Sequence, residues 1–219
     1  VANANLSVRV IVSRMFAENC YLVSAADSHR CLIVDPGLDD EGIIAAITEH
    51  RLQPEAILLT HGHADHIAGV ESVKRCWPEC PILIGRKDAP KLTDPELNLS
   101  AQYGFGLTSP PADQLVDEGD RLNLAGLELE VYEAPGHSVG HVLYVWKGGS
   151  PWAVIGGDVL FQEGIGRSDF PDGSHEQLVE SIRTKLFTLP DDTVVLPGHG
   201  PTTTIGHERR FNPFVGRGV

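Results

Sequence analysis

Short apolar runs divided by polar turns open the chain. Ser7 to Ile11, Tyr21 to Val23 and Cys31 to Val34 are β-branched and apolar, the pattern of neighbouring antiparallel strands. Asp35-Pro36-Gly37 closes the third run. Asp39, Asp40 and Glu41 then place negative charge where a helix begins, favourable to its dipole, and Ile43, Ile44 and Ile47 recur at helical spacing up to His50 and Arg51. Ala56 to Thr60 is apolar up to its last residue, which predicts a central strand covered on both faces. Val70, Val73 and Trp77 predict a helix over 67–77, followed by a strand at Ile82 to Ile84.

From Lys91 to Asp113 the chain is rich in proline, glycine and polar residues and keeps no period, so it reads as a long loop of the kind that often covers a site. A second set of strands follows at Leu122 to Leu124, Leu127 to Tyr132, Val142 to Trp146 and Ala153 to Ile155. Leu178, Val179, Ile182 and Leu186 predict an amphipathic helix over 175–187, and Thr193 to Leu196 a last strand. No linker divides this order of strands, helices, strands and helix. It predicts one α/β domain over 1–219, two similar halves packed as a four-layer sandwich.

The histidines change the picture. Thr60-His61-Gly62-His63-Ala64-Asp65-His66 ends the central apolar run and holds three of the chain's 10 histidines and a carboxylate within six residues. Imidazole and carboxylate are ligands for zinc, iron or manganese. In an extended segment side chains alternate, so His61 and His63 face one way. Asp65 and His66 follow the chain as it turns and address a second point nearby, which predicts two adjacent metal positions.

Three further polar segments also follow directly on strands: Pro135-Gly136-His137, Gly156-Gly157-Asp158 and Pro197-Gly198-His199. If these strand ends share one edge, their side chains converge on the histidine loop, and the small glycines let the backbones approach closely. The assignment that uses every ligand puts His61, His63 and His137 on one metal and Asp65, His66 and His199 on the other, with Asp158 bridging. His141 opens a strand and reads as a supporting residue, while His29, His50, His175 and His207 read as surface residues.

Composition narrows the partners. A net charge of −13 leaves no basic footprint for nucleic acid or an anionic membrane surface. It does not exclude an anionic small molecule, because metal charge and one or two arginines dominate the field inside a cleft. Hydrophobic residues at 42% and charged residues at 21% describe a soluble globular chain with no apolar run long enough to span a bilayer. Val1 to Ser7 lacks the basic start and apolar centre of a secretory signal. Cys20, Cys31, Cys76 and Cys80 are too few and scattered for a disulfide framework, so the expected compartment is the cytoplasm and Cys76 and Cys80 read as free thiols. Nothing in the pattern sets an oligomeric state.

The His-x-His-x-Asp-His loop at His61 to His66, with His137, Asp158 and His199 behind it, resembles the metallo-β-lactamase fold superfamily over nearly the whole chain. The resemblance implies an αββα sandwich, two mixed sheets flanked by helices. Gly164-Ile165-Gly166-Arg167-Ser168-Asp169-Phe170-Pro171, Pro197-Gly198-His199-Gly200-Pro201-Thr202-Thr203 and Glu208-Arg209-Arg210-Phe211-Asn212-Pro213-Phe214 are similar to the short bacterial branch of glyoxalase II. That branch implies hydrolysis of a glutathione thioester, S-lactoylglutathione to glutathione and lactate, by a hydroxide held on two divalent metals, zinc foremost with iron or manganese as alternatives. Asp65 and Asp158 would orient the hydroxide and manage its proton.

Longer glyoxalase II enzymes grip glutathione with a carboxy-terminal helical region, whereas 20 residues follow His199 here. The expected grip is therefore Arg167, Arg209 or the 91–113 loop. Persulfide dioxygenases, which use one iron, resemble the histidine loop and the Gly166 to Phe170 stretch. They typically carry His-Asp-Tyr where this chain has His199-Gly200-Pro201. Hydrolysis of another ester, a lactone or an amide is the remaining alternative, since fold alone does not choose substrate.

Overall fold

The computed structural model describes residues 2, 3 and 5–217. The first sheet contains β1 (Ala2–Asn3), β2 (Leu6–Val12), β3 (Asn19–Ala25), β4 (Arg30–Val34), β5 (Gln53–Leu59), β6 (Ile82–Gly85) and β7 (Gln114–Val116), in that order across the sheet. Its first four strands are antiparallel. From β4 onward the pairing is parallel, because long connections make the crossovers: α1 (Asp40–Glu49) before β5, α2 (Ala64–Ile67) and α3 (Val70–Cys76) before β6, and an irregular segment before β7.

The second sheet contains β8 (Arg121–Leu124), β9 (Leu127–Glu133), β10 (Val142–Trp146) and β11 (Ala153–Gly157). A small hairpin, β12 (Leu160–Phe161) and β13 (Gly164–Ile165), stands apart from it. α4 (His175–Ser181) continues through a π-helical turn, Ile182–Leu186, before β14 (Val194–Pro197), β15 (Thr203–Thr204) and α5 (Ile205–Phe211). The order across this sheet is β15-β14-β11-β10-β9-β8.

Strand period 2 explains the layering. Along β10, Val142, Tyr144 and Trp146 enter the core between the sheets, while Leu143 and Val145 face outward onto Leu178, Ile182 and Ile205. Along β5, Ala56 and Leu58 face inward, and Ile57 and Leu59 face outward onto Ile43, Ile47, Val70 and Val73. Both sheets are thus buried on both faces, and the expected αββα architecture of two mixed sheets is the one observed.

The helix expected over 67–77 is broken. Ala68 and Gly69 separate α2 from α3, and the Gly69 amide donates to the Pro36 carbonyl at 2.8 Å. A Cβ at Gly69 would stand 2.6 Å from the Gly37 carbonyl oxygen, so the helices pass the Asp35-Pro36-Gly37 turn only because no side chain intervenes. Gly69→Ala is expected to cost about 1–3 kcal/mol through the forced backbone shift, read as a lower midpoint of urea unfolding.

The 91–113 segment is ordered by its own bonds. Fully buried Asn98 donates through its side-chain amide to the carbonyls of Lys91 (3.0 Å) and Leu107 (2.9 Å), and its main-chain carbonyl accepts from the Ala64 amide at 3.0 Å, which ties the loop to α2. Single turns of 3-10 helix occupy Ala89–Leu92 and Ser100–Tyr103. No helix among the described residues is long and apolar enough to cross a membrane.

Candidate metal centre

The strand ends do share one rim. Thr60 follows β5, and its carbonyl accepts from Val142 at the start of β10 (2.8 Å), while the Tyr144 hydroxyl donates to the Leu59 carbonyl (2.9 Å). From the other side Asn19 donates through its side chain to the carbonyls of Pro197 (2.9 Å) and Gly200 (2.8 Å), fixing the turn that carries His199. Gly198 lies so close to the cluster that a Cβ there would be 2.1 Å from Asp158 Oδ1. These long-range bonds bring the ligand candidates of both sheets together.

Hydrogen bonds on the outer ring nitrogens set the tautomers. Thr60 Oγ donates to Asp35 Oδ2 at 2.7 Å and so accepts from His61 Nδ1 at 3.1 Å. His137 Nδ1 donates to the Arg167 carbonyl at 2.7 Å. Both Nε2 atoms therefore carry lone pairs, yet they face each other at 3.2 Å, with His63 Nδ1 2.9 Å from His137 Nε2. Burial pushes all three imidazoles below their ordinary pKa, so they are held neutral, the form that ligates. Tetrahedral ligands ~2.0–2.1 Å from a zinc ion stand ~3.3–3.4 Å apart. This trio fits a divalent cation.

The second trio faces the same demand with more negative charge. His66 Nδ1 donates to Asp35 Oδ2 at 3.1 Å, leaving Nε2 buried without a hydrogen-bond partner and 3.5 Å from Asp158 Oδ1, itself buried and unpartnered. His199 Nδ1 donates to the Phe16 carbonyl at 3.2 Å, and its Nε2 lies 3.3 Å from Asp65 Oδ2. Burial opposes charge on these rings, but Asp158 and Asp65 hold His66 well above the ordinary imidazole range, and Asp65 raises His199. Burial likewise raises Asp65 and Asp158, and the facing imidazoles outweigh it and keep both carboxyls below their usual range.

Asp158 sits between the trios: its Oδ2 is 3.6 Å from His137 Nε2 and 3.5 Å from His199 Nε2. Three donor groups result, His61/His63/His137, His61/His66/Asp158 and Asp65/His66/His199.

His141 is fully buried, stacks on His61 at 5.0 Å and accepts from the Asp158 amide at 3.1 Å through Nε2, a supporting position as expected. His29, His50 and His175 are exposed, and His207 pairs with Glu163 at 3.1 Å. All four cysteines are free, and none joins a donor group among the described residues.

Arg167 reaches the cavity and also keeps a structural partner. Its guanidinium donates to Asp169 at 2.9 and 3.0 Å and lies over the Phe170 ring at 4.5 Å. Arg209 does not reach the cavity. It donates to Asp191 and to the carbonyls of Phe187 and Leu189, because α5 packs on the outer layer beside the end of the α4 segment, and there its charge staples two elements.

Two buried carboxylates belong to the site and went unread as such in the sequence. Asp35 accepts from the Thr60 amide at 2.8 Å besides Thr60 Oγ and His66, and it holds the positive φ of 48° that its turn requires. An Asp-Pro-Gly turn directly after a buried strand was the available signal. Asp88 accepts from the amides of Gly62 (2.9 Å) and Gly140 (2.8 Å) and the Ser138 hydroxyl (2.7 Å), clamping the His61–His63 loop to the His137 loop. Only long-range contact reveals it.

The chain belongs to the metallo-beta-lactamase superfamily, whose profile matches residues 14–199. It is 43% identical to the probable metallo-hydrolase YqgX of Bacillus subtilis over 90% of this chain and 92% of that one. It is 38% identical to the hydroxyacylglutathione hydrolase GloC of Haemophilus influenzae over 96% and 98%. Among solved structures it resembles the BLEG-1 B3 metallo-beta-lactamase (TM-score 0.90, 38% identity, 95% and 99% covered). It is also similar to TTHA1623 in a di-iron-bound form (TM-score 0.83, 35% identity, 94% and 100% covered). The fold, a divalent metal site and membership of a metallo-hydrolase family follow from these matches and the donor cluster.

Proposed function

We propose that this protein is a two-metal hydrolase of glutathione thioesters, with S-lactoylglutathione as its reference substrate. The observation that carries the reading is Asp158 standing between two donor trios at the floor of an open cavity. Two trios support two ions, against the one iron of a dioxygenase, and the similarity to GloC supports a thioester. Bound there, divalent metals lower the pKa of coordinated water toward about 7 and polarise the carbonyl to be attacked.

The chain's own residues do the rest. Asp65 and Asp158, placed beside His199 and between the two trios, orient the water and manage its proton as its oxygen bonds to the acyl carbon. The C–S bond then breaks, the thiolate takes up a proton, and a carboxylic acid and a thiol leave. Asp35 and Asp88 hold the ligand loops still while charge develops, so little reorganisation is needed in the transition state. The four free cysteines support a cytoplasmic place of work.

The test is thiol release from S-lactoylglutathione with and without a chelator, paired with elemental analysis. The expected outcome is chelator-sensitive release and about two metals per chain. One iron per chain with no thiol released would remove the reading. A second reading, amide hydrolysis of a β-lactam, is supported by the likeness to BLEG-1, and a chromogenic cephalosporin in the same assay separates the two.

A further inference from the structure

Around the donor cluster the cavity walls are aromatic. Phe16, Tyr103, Phe105, Phe161 and Phe170 line a space of about 250 Å³ above the ligands. Phe170 stands edge-on to His63 and His137, at 5.0 and 5.4 Å, and Phe161 edge-on to His199 at 6.2 Å, so apolar surface begins where the ligands end. Phe16 meets Tyr103 edge to face at 5.8 Å, and Tyr103 lies 6.4 Å from Phe105. Tyr103 and Phe105 are 58% and 40% exposed. Apolar side chains that line a cavity yet remain in water mark surface kept for a ligand.

Positive charge is scarce on the same walls. Arg167 is the one lysine or arginine among the lining residues, and Asp169 already takes its guanidinium. Arg209 is turned away, and the buried Lys91 ammonium lies 2.7 Å from Asp172 and 3.4 Å from Asp88. A tripeptide carrier with two carboxylates and an ammonium gains little from walls of five aromatic rings and a single arginine. The volume points the same way: pockets that enclose a drug-sized ligand run to ~300–1,000 Å³, so this one encloses an acyl group rather than a whole acylated tripeptide.

Resting on the thioester-hydrolase reading, we infer that the aromatic walls are an acyl-binding site, and that the preferred substrates are thioesters of bulky apolar acids, aryl-substituted ones foremost. The charged carrier lies at the mouth beside Arg167. Hydrolysis is balanced as before: water and the aryl-acyl thioester give the arylalkanoic acid and the free thiol.

Two thioethers that cannot be hydrolysed separate binding from turnover. With the metal-loaded protein, calorimetry is expected to show S-benzylglutathione binding about tenfold or more tighter than S-methylglutathione, the return from burying one ring. Tyr103→Ala and Phe105→Ala are expected to shrink that ratio to about threefold or less, and Tyr103→Phe to keep it. In turnover, kcat/KM for S-phenylacetylglutathione is expected to exceed that for S-lactoylglutathione by about tenfold or more. Equal thioether affinities with a preference for the lactoyl ester overturn the acyl-site inference and leave the hydrolase standing. No release from either thioester overturns the hydrolase reading itself.

Discussion

Asp158→Ala is expected to lower kcat/KM for thioester hydrolysis more than about 100-fold and to cut the metal content from about two per chain to one or fewer. Residues that merely support a ligand typically cost about 10–100-fold when removed, and Asp158 does more than support. It faces His137 and His199 through Oδ2 and His66 through Oδ1, so its loss leaves imidazoles of both trios without their negative neighbour. Asp158→Asn separates charge from shape. It keeps a ligand oxygen but removes the negative charge that faces His66 and His199, so metal retention that survives better than in the alanine variant, with activity still strongly reduced, is the expected signature. Metal content by elemental analysis and thiol release on the same preparation read both effects. Full activity in the alanine variant would dispose of Asp158 as the bridge.

The second large effect is expected at Asp88, which touches no ligand side chain. Its carboxylate is fully buried and takes three donors, from Gly62, Ser138 and Gly140, with Lys91 3.4 Å away. Asp88→Ala leaves those donors unsatisfied and removes one of the two carboxylates beside a buried ammonium. Loss of one partner of a buried ion pair costs about 3–5 kcal/mol, and the expected fall in unfolding free energy is about 3 kcal/mol or more. Ser138→Ala, which removes a single neutral donor, is expected to cost about 1 kcal/mol. Urea unfolding with chelator present isolates the clamp from metal linkage, since a bound metal itself stabilises the folded state. If the two variants cost the same, Asp88 is not the clamp between the two histidine loops.

Asp88 also shows where the sequence stops being informative. It stands in a polar stretch after β6 with no periodicity and no histidine nearby, and its donors lie 26 to 52 residues away. Asp35 left a faint mark, and Phe16, Tyr103 and Phe105 left none, because an aromatic in an irregular segment looks alike whether it packs or lines a cavity. Arg209 misled for a related reason. A basic residue in a family-like ending is compatible with grip, and only the packing of α5 beside Phe187 and Leu189 shows its charge already taken. The elements that escaped were the small ones. β7 is three residues with two of them exposed, the β12–β13 hairpin has two-residue strands, and α5 has seven residues, all too short to establish a period.

By itself the sequence determined the layered α/β architecture and the chemistry at its rim. Alternation within strands and helical spacing between them are local consequences of side-chain geometry, and a His-x-His-x-Asp-His loop carries its ligand types whatever surrounds it. Only the tertiary structure decided which nitrogen each histidine turns inward, which carboxylates clamp the ligand loops, that Gly69 must break a helix, and that aromatic rings wall the cavity. Those features depend on contacts between residues far apart in the chain, and such contacts exist only once both sheets are packed and the bonds between them have closed.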